Sequence, residues 1–212
     1  MSIQEKKQKH KEDFRSKILD AAKKLFVEEG IEATSIRKIA KAIAFSPTTI
    51  YLYYKDKSDI VYALHLEGFS LLRSQMQVLM HVENPFERLI AIGKAYLSFA
   101  VNEPGYYELL FMMKEPMQFL EDQCIDGEWE EGDRVFDLLQ ETIQDCQKAG
   151  FFTGMDTSTL SLQAWSTVHG IASLFISGHL KKMNNLLFAA ADEATFLENT
   201  FQLYVNMLKR LK

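Results

Sequence analysis

Apolar residues recur at spacings of three and four along almost the whole chain, the signature of helices that bury one stripe. The first helix is expected from about Lys11 to Glu29. Phe14, Ile18, Ala21, Ala22, Leu25 and Phe26 line its inner side, and Gly30 is placed for a left-handed cap. A shorter helix follows, capped by Thr34 or Ser35, with Ile36, Ile39, Ala40 and Ile43 inward and Arg37, Lys38 and Lys41 outward. Ser46 then supplies a cap and Pro47 a first-turn proline for a helix over about residues 47–53. Ile50 and Tyr54 face the core there, leaving Thr48, Thr49, Tyr51 and Tyr53 outside.

Beyond Lys57 the pattern stays helical, with no strand-like alternation and no repeat. A long helix is expected from Ser58-Asp59 to about His81, and Asn84-Pro85 starts another that ends near Val101. Pro104 opens a short helix through Phe111. The acidic stretch from Glu115 to Glu131 is expected to be a loop. Helices then run from about Glu131 to Ala149, from an Asp156 cap through Leu180, and from about Asp192 to Lys212. The fold class is therefore all-α, with an N-terminal unit of three helices over residues 1–57 and a helical second domain over residues 58–212.

Two short helices joined by a tight turn, the second carrying hydroxyls and cations, have the make-up of a major-groove reader. Helix N-termini and hydroxyls hold phosphate, and Thr or Arg can reach base edges. Residues 14–62 resemble the TetR family of transcriptional regulators. The resemblance rests on Gly30, Ala33-Thr34-Ser35-Ile36, Ile39-Ala40, Ser46-Pro47-Thr48-Thr49-Ile50-Tyr51, Tyr53-Tyr54, Lys57, Asp59 and Ile60. It implies that Ser35, Arg37, Ser46, Thr48, Thr49, Tyr51, Tyr53 and Lys57 lie against DNA. Tyr51 and Lys57 would hold phosphate, and Arg37, Thr48, Thr49 and Tyr53 would face base edges. One position departs from the family pattern: Ala44 stands in the turn where glycine is usual. A left-handed alanine costs about 1 kcal/mol.

Composition refines this picture. Of 212 residues, 47% are hydrophobic and 12% aromatic, as expected of a folded soluble protein. The net charge of −5 suits a DNA binder only when divided along the chain. Residues 1–60 hold 13 Lys and Arg against 9 Asp and Glu, and the remainder 11 against 20. A basic head on an acidic body can still meet phosphates, because distant charges are screened. The run Lys6, Lys7, Lys9, His10, Lys11 is either a flexible basic arm on the duplex or a solvated tail. No apolar run has the length of a membrane span, and no signal peptide is visible. Cys124 and Cys146 form no close pair, and the five histidines form no ligand cluster. Reduced thiols, a cytoplasmic location, and no metal or cofactor are the expectations.

Two late stripes have the spacing of helices packed side by side: Leu160, Ala164, Val168, Ile171 and Phe175, then Leu197, Phe201, Tyr204 and Leu208. They are expected at a homodimer interface, with packing inside one chain as the alternative. The resemblance favours the dimer, since TetR-like proteins pair through their last two long helices. Trp165 with His169-Gly170 is similar to one subgroup of TetR-like C-terminal domains, and Gly170 would permit close helix approach. Tyr96, Phe99, Tyr107, Phe111, Trp129, Phe136, Trp165 and His169 are expected around a pocket for a small apolar ligand, the alternative being ordinary core.

Together these features imply a dimeric regulator, most often a repressor, that binds a palindromic operator on double-stranded DNA and answers to that ligand. The alternative is a helical small-molecule-binding protein or enzyme with a vestigial DNA-binding head. No nucleophile motif, phosphate loop or metal cluster supports catalysis.

Overall fold

The computed structural model describes residues 2–113, 130–182 and 192–211. Every regular element among them is helical: α1 (Ile3–Glu29), α2 (Ile36–Ala42), α3 (Pro47–Tyr51), α4 (Lys57–Gln77), α5 (Pro85–Asn102), α6 (Pro104–Tyr107), α7 (Glu130–Lys148), α8 (Thr157–Ile176) and α9 (Glu193–Leu208). A 3-10 turn, Val78–His81, continues α4, and a π turn, Glu108–Met112, continues α6. By packing, the described residues fall into two compact units. The first holds the chain up to Gly68 and from Gly105 to Met113. The second holds Phe69 to Pro104 and everything from Glu130 onward. Most of the loop expected over Glu115–Glu131 lies outside the described residues.

In the first unit the stripe of α1 is buried as its spacing demands. Phe14, Ile18, Ala22 and Phe26 are in the core with Ile36, Ile39, Ala40, Ile50 and Tyr54. Gly30 ends α1 at φ +86°, its N–H donating to the Phe26 carbonyl at 2.9 Å. Thr34 is buried and donates to the Gly30 carbonyl at 2.8 Å, so Ser35 is the residue that caps α2. Lys23 stands over the Tyr106 ring at 3.6 Å, and a side chain at Gly68 would meet Tyr106 and Leu110 at 3.0 Å. The segment from Gly105 thus packs with α1 and the first half of α4.

The basic run over residues 6–11 is helical where a flexible arm or a solvated tail is expected, and it is fully exposed. Helix α1 begins at Ile3, two turns before the expected Lys11. Ser2 and Glu5 form a capping box: the Glu5 N–H donates to Ser2 Oγ at 3.2 Å, and the Ser2 N–H to Glu5 Oε2 at 2.7 Å. Lys, Gln and Glu are good helix formers, so the capped segment extends an existing helix without a new nucleation cost.

In the second unit α5 packs against α7 and α8, and α8 against α9. Asn84 caps α5 by accepting from the Phe86 and Glu87 N–H groups. Arg88, buried, donates to Asp145 on α7 at 2.5 Å and to the Met80 carbonyl at 3.3 Å. It thereby ties the turn before α5 to α7. Its guanidinium and the Lys148 ammonium hold the Asp145 carboxyl below its ordinary range, Lys148 contributing most. Helix α7 stops at Gly150, as expected. Helix α8 stops at Ile176 rather than Leu180, because Gly178 at φ +71° interrupts it.

The closest approach in this unit is on α5. A Cβ on Gly93 would lie 2.8 Å from Cε2 and 2.9 Å from Cζ of Phe201, whose ring is almost fully buried. In an open helix Gly→Ala gains about 1 kcal/mol. Here the crowding of a packed ring, at about 1–3 kcal/mol, outweighs that gain. Gly93→Ala is therefore expected to lower stability in denaturant titration.

Candidate nucleic-acid interface and aromatic cluster

The turn between α2 and α3 sets the pose of the recognition helix. The Phe45 N–H donates to the Ala40 carbonyl at 2.9 Å, and the Ala44 N–H to the Lys41 carbonyl at 3.2 Å. This is a Schellman motif, which needs a left-handed residue between cap and exit. Ala44 occupies that place at φ +57°. The residue that replaces glycine keeps the turn and bears the strain.

Ser46 caps α3, accepting from the Thr49 N–H at 3.2 Å, and its hydroxyl lies 2.9 Å from that of Thr49. Phe14 on α1 packs edge-on against Phe45, with ring centroids 4.6 Å apart, and against Tyr53 at 4.9 Å. Arg15 stands over the Tyr54 ring at 5.0 Å. A five-residue helix cannot hold itself; these rings and the fully buried Ile50 hold it.

The expected DNA-facing residues are placed unequally. Ser35, Arg37, Ser46, Thr48 and Tyr51 are exposed, and Thr49 is half-buried against its cap. The Tyr53 ring is half-buried against Phe14, so this residue serves packing as well as display. Lys57 has a partner within the head. Its ammonium donates to the Ile31 carbonyl at 2.7 Å, closing the head from a position 26 residues along the chain. Lys38 is likewise occupied, by Glu29 and the Ala33 carbonyl. Phe45, exposed at the turn and in contact with Phe14, was not singled out by its spacing.

The expected pocket residues do not form one group. Tyr96, Phe136, Trp165 and His169 come together in the second unit. Trp165 Nε1–H donates to Tyr96 Oη at 3.3 Å, and that hydroxyl lies 3.0 Å from His169 Nδ1. The Tyr96 hydroxyl thus joins the Trp165 indole to the His169 imidazole. Burial lowers the His169 pKa, disfavouring the charged ring. The Phe136 ring lies 6.1 Å from Trp165. Phe99 and Tyr107 have no accessible surface, so they face neither solvent nor a cavity large enough for a water molecule. Tyr107 and Phe111 pair at 5.3 Å in the first unit. Trp129 lies outside the described residues. A separate open cleft of about 450 Å³ is lined by Asn84, Phe86, Glu87, Ile90, Phe151 and Lys209, none of them expected ligand residues.

The stripes expected at a dimer interface are largely spent inside the chain. Leu160, Ala164, Val168, Ile171, Phe201 and Leu208 are buried, and Phe175, Leu197 and Tyr204 are half-buried. Phe201 and Val168 meet α5 at Gly93. The apolar residues left outside are Leu162 and Leu174 on α8 and Leu203 and Met207 on α9. Among the described residues no group of three His, Cys, Asp or Glu is placed for a metal, and no helix is long and apolar enough to cross a membrane.

Comparison with known proteins agrees with this geometry. Residues 18–64 match the model for bacterial regulatory proteins of the tetR family, and residues 89–196 match the tetracyclin repressor-like C-terminal domain. YobS of Bacillus subtilis (strain 168), an uncharacterized HTH-type transcriptional regulator, is 26% identical over 110 residues. The matched stretch covers 51% of this chain and 58% of YobS. A tetR-family regulatory protein from Rhodococcus RHA1 superposes with a TM-score of 0.69 at 19% identity, covering 92% of this chain and 96% of that one. FadR from Bacillus subtilis, solved in complex with stearoyl-CoA, does so with a TM-score of 0.68 at 19% identity, covering 90% and 97%.

The strain at Ala44 gives a direct test of the turn. Ala44→Gly is expected to raise the stability of the head by about 1 kcal/mol, less the entropy that glycine adds to the unfolded chain. A rise in the thermal midpoint checks this. A fall would mean that the alanine methyl makes packing contacts worth more than the strain.

Proposed function

Because this chain belongs to the TetR family of bacterial transcriptional regulators, we propose that it is a cytoplasmic homodimeric repressor. It binds a palindromic operator through residues 1–57 and is controlled by a small, largely apolar ligand in residues 58–212. The observation that carries the reading is the set Arg37, Ser46, Thr48 and Tyr51, exposed together around a recognition helix fixed by the Ala44 turn. Arg37, Thr48 and Thr49 read base edges; Ser35, Ser46 and Tyr51 position the head on phosphate. Lys57 acts one step back, by holding the head closed.

A single head reads few base pairs, and two related by a dyad read a palindrome. The family pairs through its last two long helices. In this chain the outer faces of α8 and α9, with Leu162, Leu174, Leu203 and Met207, are the surface suited to a second copy. Gly170 and the exposed Ser166 lie on that same face of α8, which favours close approach of the two copies. Half-buried Phe175, Leu197 and Tyr204 contribute at its edge.

For the ligand, the reading keeps Tyr96, Phe136, Trp165 and His169. Their rings supply apolar surface, and the Trp165–Tyr96–His169 relay fixes their orientation. FadR, which shares the fold, holds stearoyl-CoA; this supports a ligand with an apolar body. The ligand lowers operator affinity to the extent that it favours the conformation less suited to DNA.

Selection from random duplexes tests the function. A palindromic sequence should be enriched. Arg37→Ala should lose about 1–3 kcal/mol of preference at particular base pairs, while Tyr51→Phe should weaken binding to every sequence alike. Failure to enrich any sequence would remove the regulator reading. The interface has its own test. Leu203→Glu should yield a folded monomer by sedimentation, with operator affinity reduced by about 30-fold or more, as for a central interface residue. Phe201→Ala should instead cost about 3–5 kcal/mol of stability, as for a core ring. A dimeric Leu203→Glu would place the interface elsewhere.

A further inference from the structure

From residue 4 to residue 13, α1 buries nothing. These turns are exposed throughout, and the buried stripe starts only at Phe14. A helix that serves only solubility has no reason to sort its charges, yet these turns do. At about 100° per residue, Lys6, His10, Lys7 and Lys11 fall within one arc of about 140°. Glu5 and Glu12 lie on the opposite side of the helix, Glu5 occupied by the Ser2 cap and Glu12 by Gln8. Lys9 lies outside the basic arc, and Asp13 stands about 20° beyond its Lys6 edge.

The direction of that arc follows from Phe14. By the same angular count, Phe14 lies at about the centre of the arc, and its ring meets Phe45 and Tyr53. Those two residues flank α3 on either side in the chain, Phe45 just before Pro47 and Tyr53 just after Tyr51. The lysines therefore stand on the recognition-helix side of α1 and begin at its level, one to two turns beyond Phe14.

We propose that the helical extension Ser2–Asp13 is a second DNA-contact element, with Lys6, Lys7 and Lys11 on the phosphate backbone beside the operator half-site. The proposal rests on the DNA-binding reading above. The occupant is the same duplex that the recognition helix reads, as the charge and the continuity with α3 require. A helix about 10–12 Å across does not enter a minor groove about 6 Å wide, so the contact is with backbone rather than a minor-groove insertion. The twelve residues from Ser2 to Phe14 span about 18 Å, the axial length of roughly five phosphates on one strand. The extension supplies affinity and salt dependence and no sequence preference.

The test compares two double variants of equal charge in the full chain, titrated on the selected duplex at several salt concentrations. Lys7→Gln/Lys11→Gln is expected to weaken binding about tenfold or more at low salt and to reduce the salt slope by about two per bound head. Lys9→Gln/Lys24→Gln removes the same charge, Lys9 from outside the arc and Lys24 from the far end of α1, about five turns after Lys6, and should change neither by more than about twofold. Glu12→Pro keeps every lysine and removes an acid, which by charge alone would strengthen binding. If the helix places the lysines, it should weaken binding instead. Equal behaviour of the two double variants, or wild-type binding by Glu12→Pro, overturns the proposal. The wild type shows which reading has failed. If it prefers the selected duplex over random DNA, only the extension falls; if it does not, the DNA-binding reading falls with it.

Discussion

The head depends on the ring of Phe14. Helix α3 has five residues and one fully buried side chain, Ile50, far too little to define its own position. Its entry is fixed by Phe45 and its exit by Tyr53, and both rings rest on Phe14. Tyr54, under Arg15, closes the same corner. The long helix α1 thus acts as a rigid reference, and the display of Thr48 and Tyr51 is measured from it. The turn at Ala44 belongs to the same constraint. Its backbone hydrogen bonds require a left-handed residue, and the packing around it holds an alanine there at a cost that glycine would avoid.

The second unit answers to a different constraint, the need of α8 and α9 to satisfy two faces. Their inner faces are complete within the chain, where Phe201 fits over Gly93 so closely that no Cβ is admitted. Their outer faces still carry Leu162, Leu174, Leu203 and Met207. Scattered exposed leucines need no explanation. Two adjacent helices that each bury one apolar face and present another are the feature on which the proposed pairing with a second copy rests.

Much of this was legible in the sequence, and the exceptions have physical reasons. Caps and stops announce themselves locally: Ser35, Ser46, Asn84, Asp156 and Asp192 cap helices, and Gly30 and Gly150 end them as expected. The early start of α1 was equally local, since Ser2 and Glu5 have the spacing of a capping box, but the lysine run drew attention to charge instead. Periodicity reports that a face is buried without saying by whom, so the Leu160 and Phe201 stripes were expected between chains when they belong within one. The off-stripe Leu203 and Met207 were the overlooked signal. Lys57 was beyond sequence reasoning, because its partner is a backbone carbonyl 26 residues away. The aromatic set was separated for the same reason: composition groups Tyr107 and Phe111 with Tyr96 and Trp165, and packing assigns them to different units.

The head is not evenly basic. A count of 13 cations in the first 60 residues suggests an evenly basic surface. Several of those cations are engaged inside the head: Lys38 by Glu29, Lys57 by Ile31, Arg15 by Tyr54 and Lys23 by Tyr106. Of the exposed remainder, Lys9, Lys17, Lys24 and Lys55 are scattered and two groups stand out. Arg37 and Lys41 accompany the recognition elements, and Lys6, Lys7 and Lys11 line the extension. Phosphate attraction depends on cations that can reach the duplex, because screening removes the rest within about 10 Å. Base reading depends on a few groups held in register. On the proposed readings, the two tasks separate along one helix axis. The buried length of α1 fixes the reading elements, and its solvated length carries charge that has no other work in the fold.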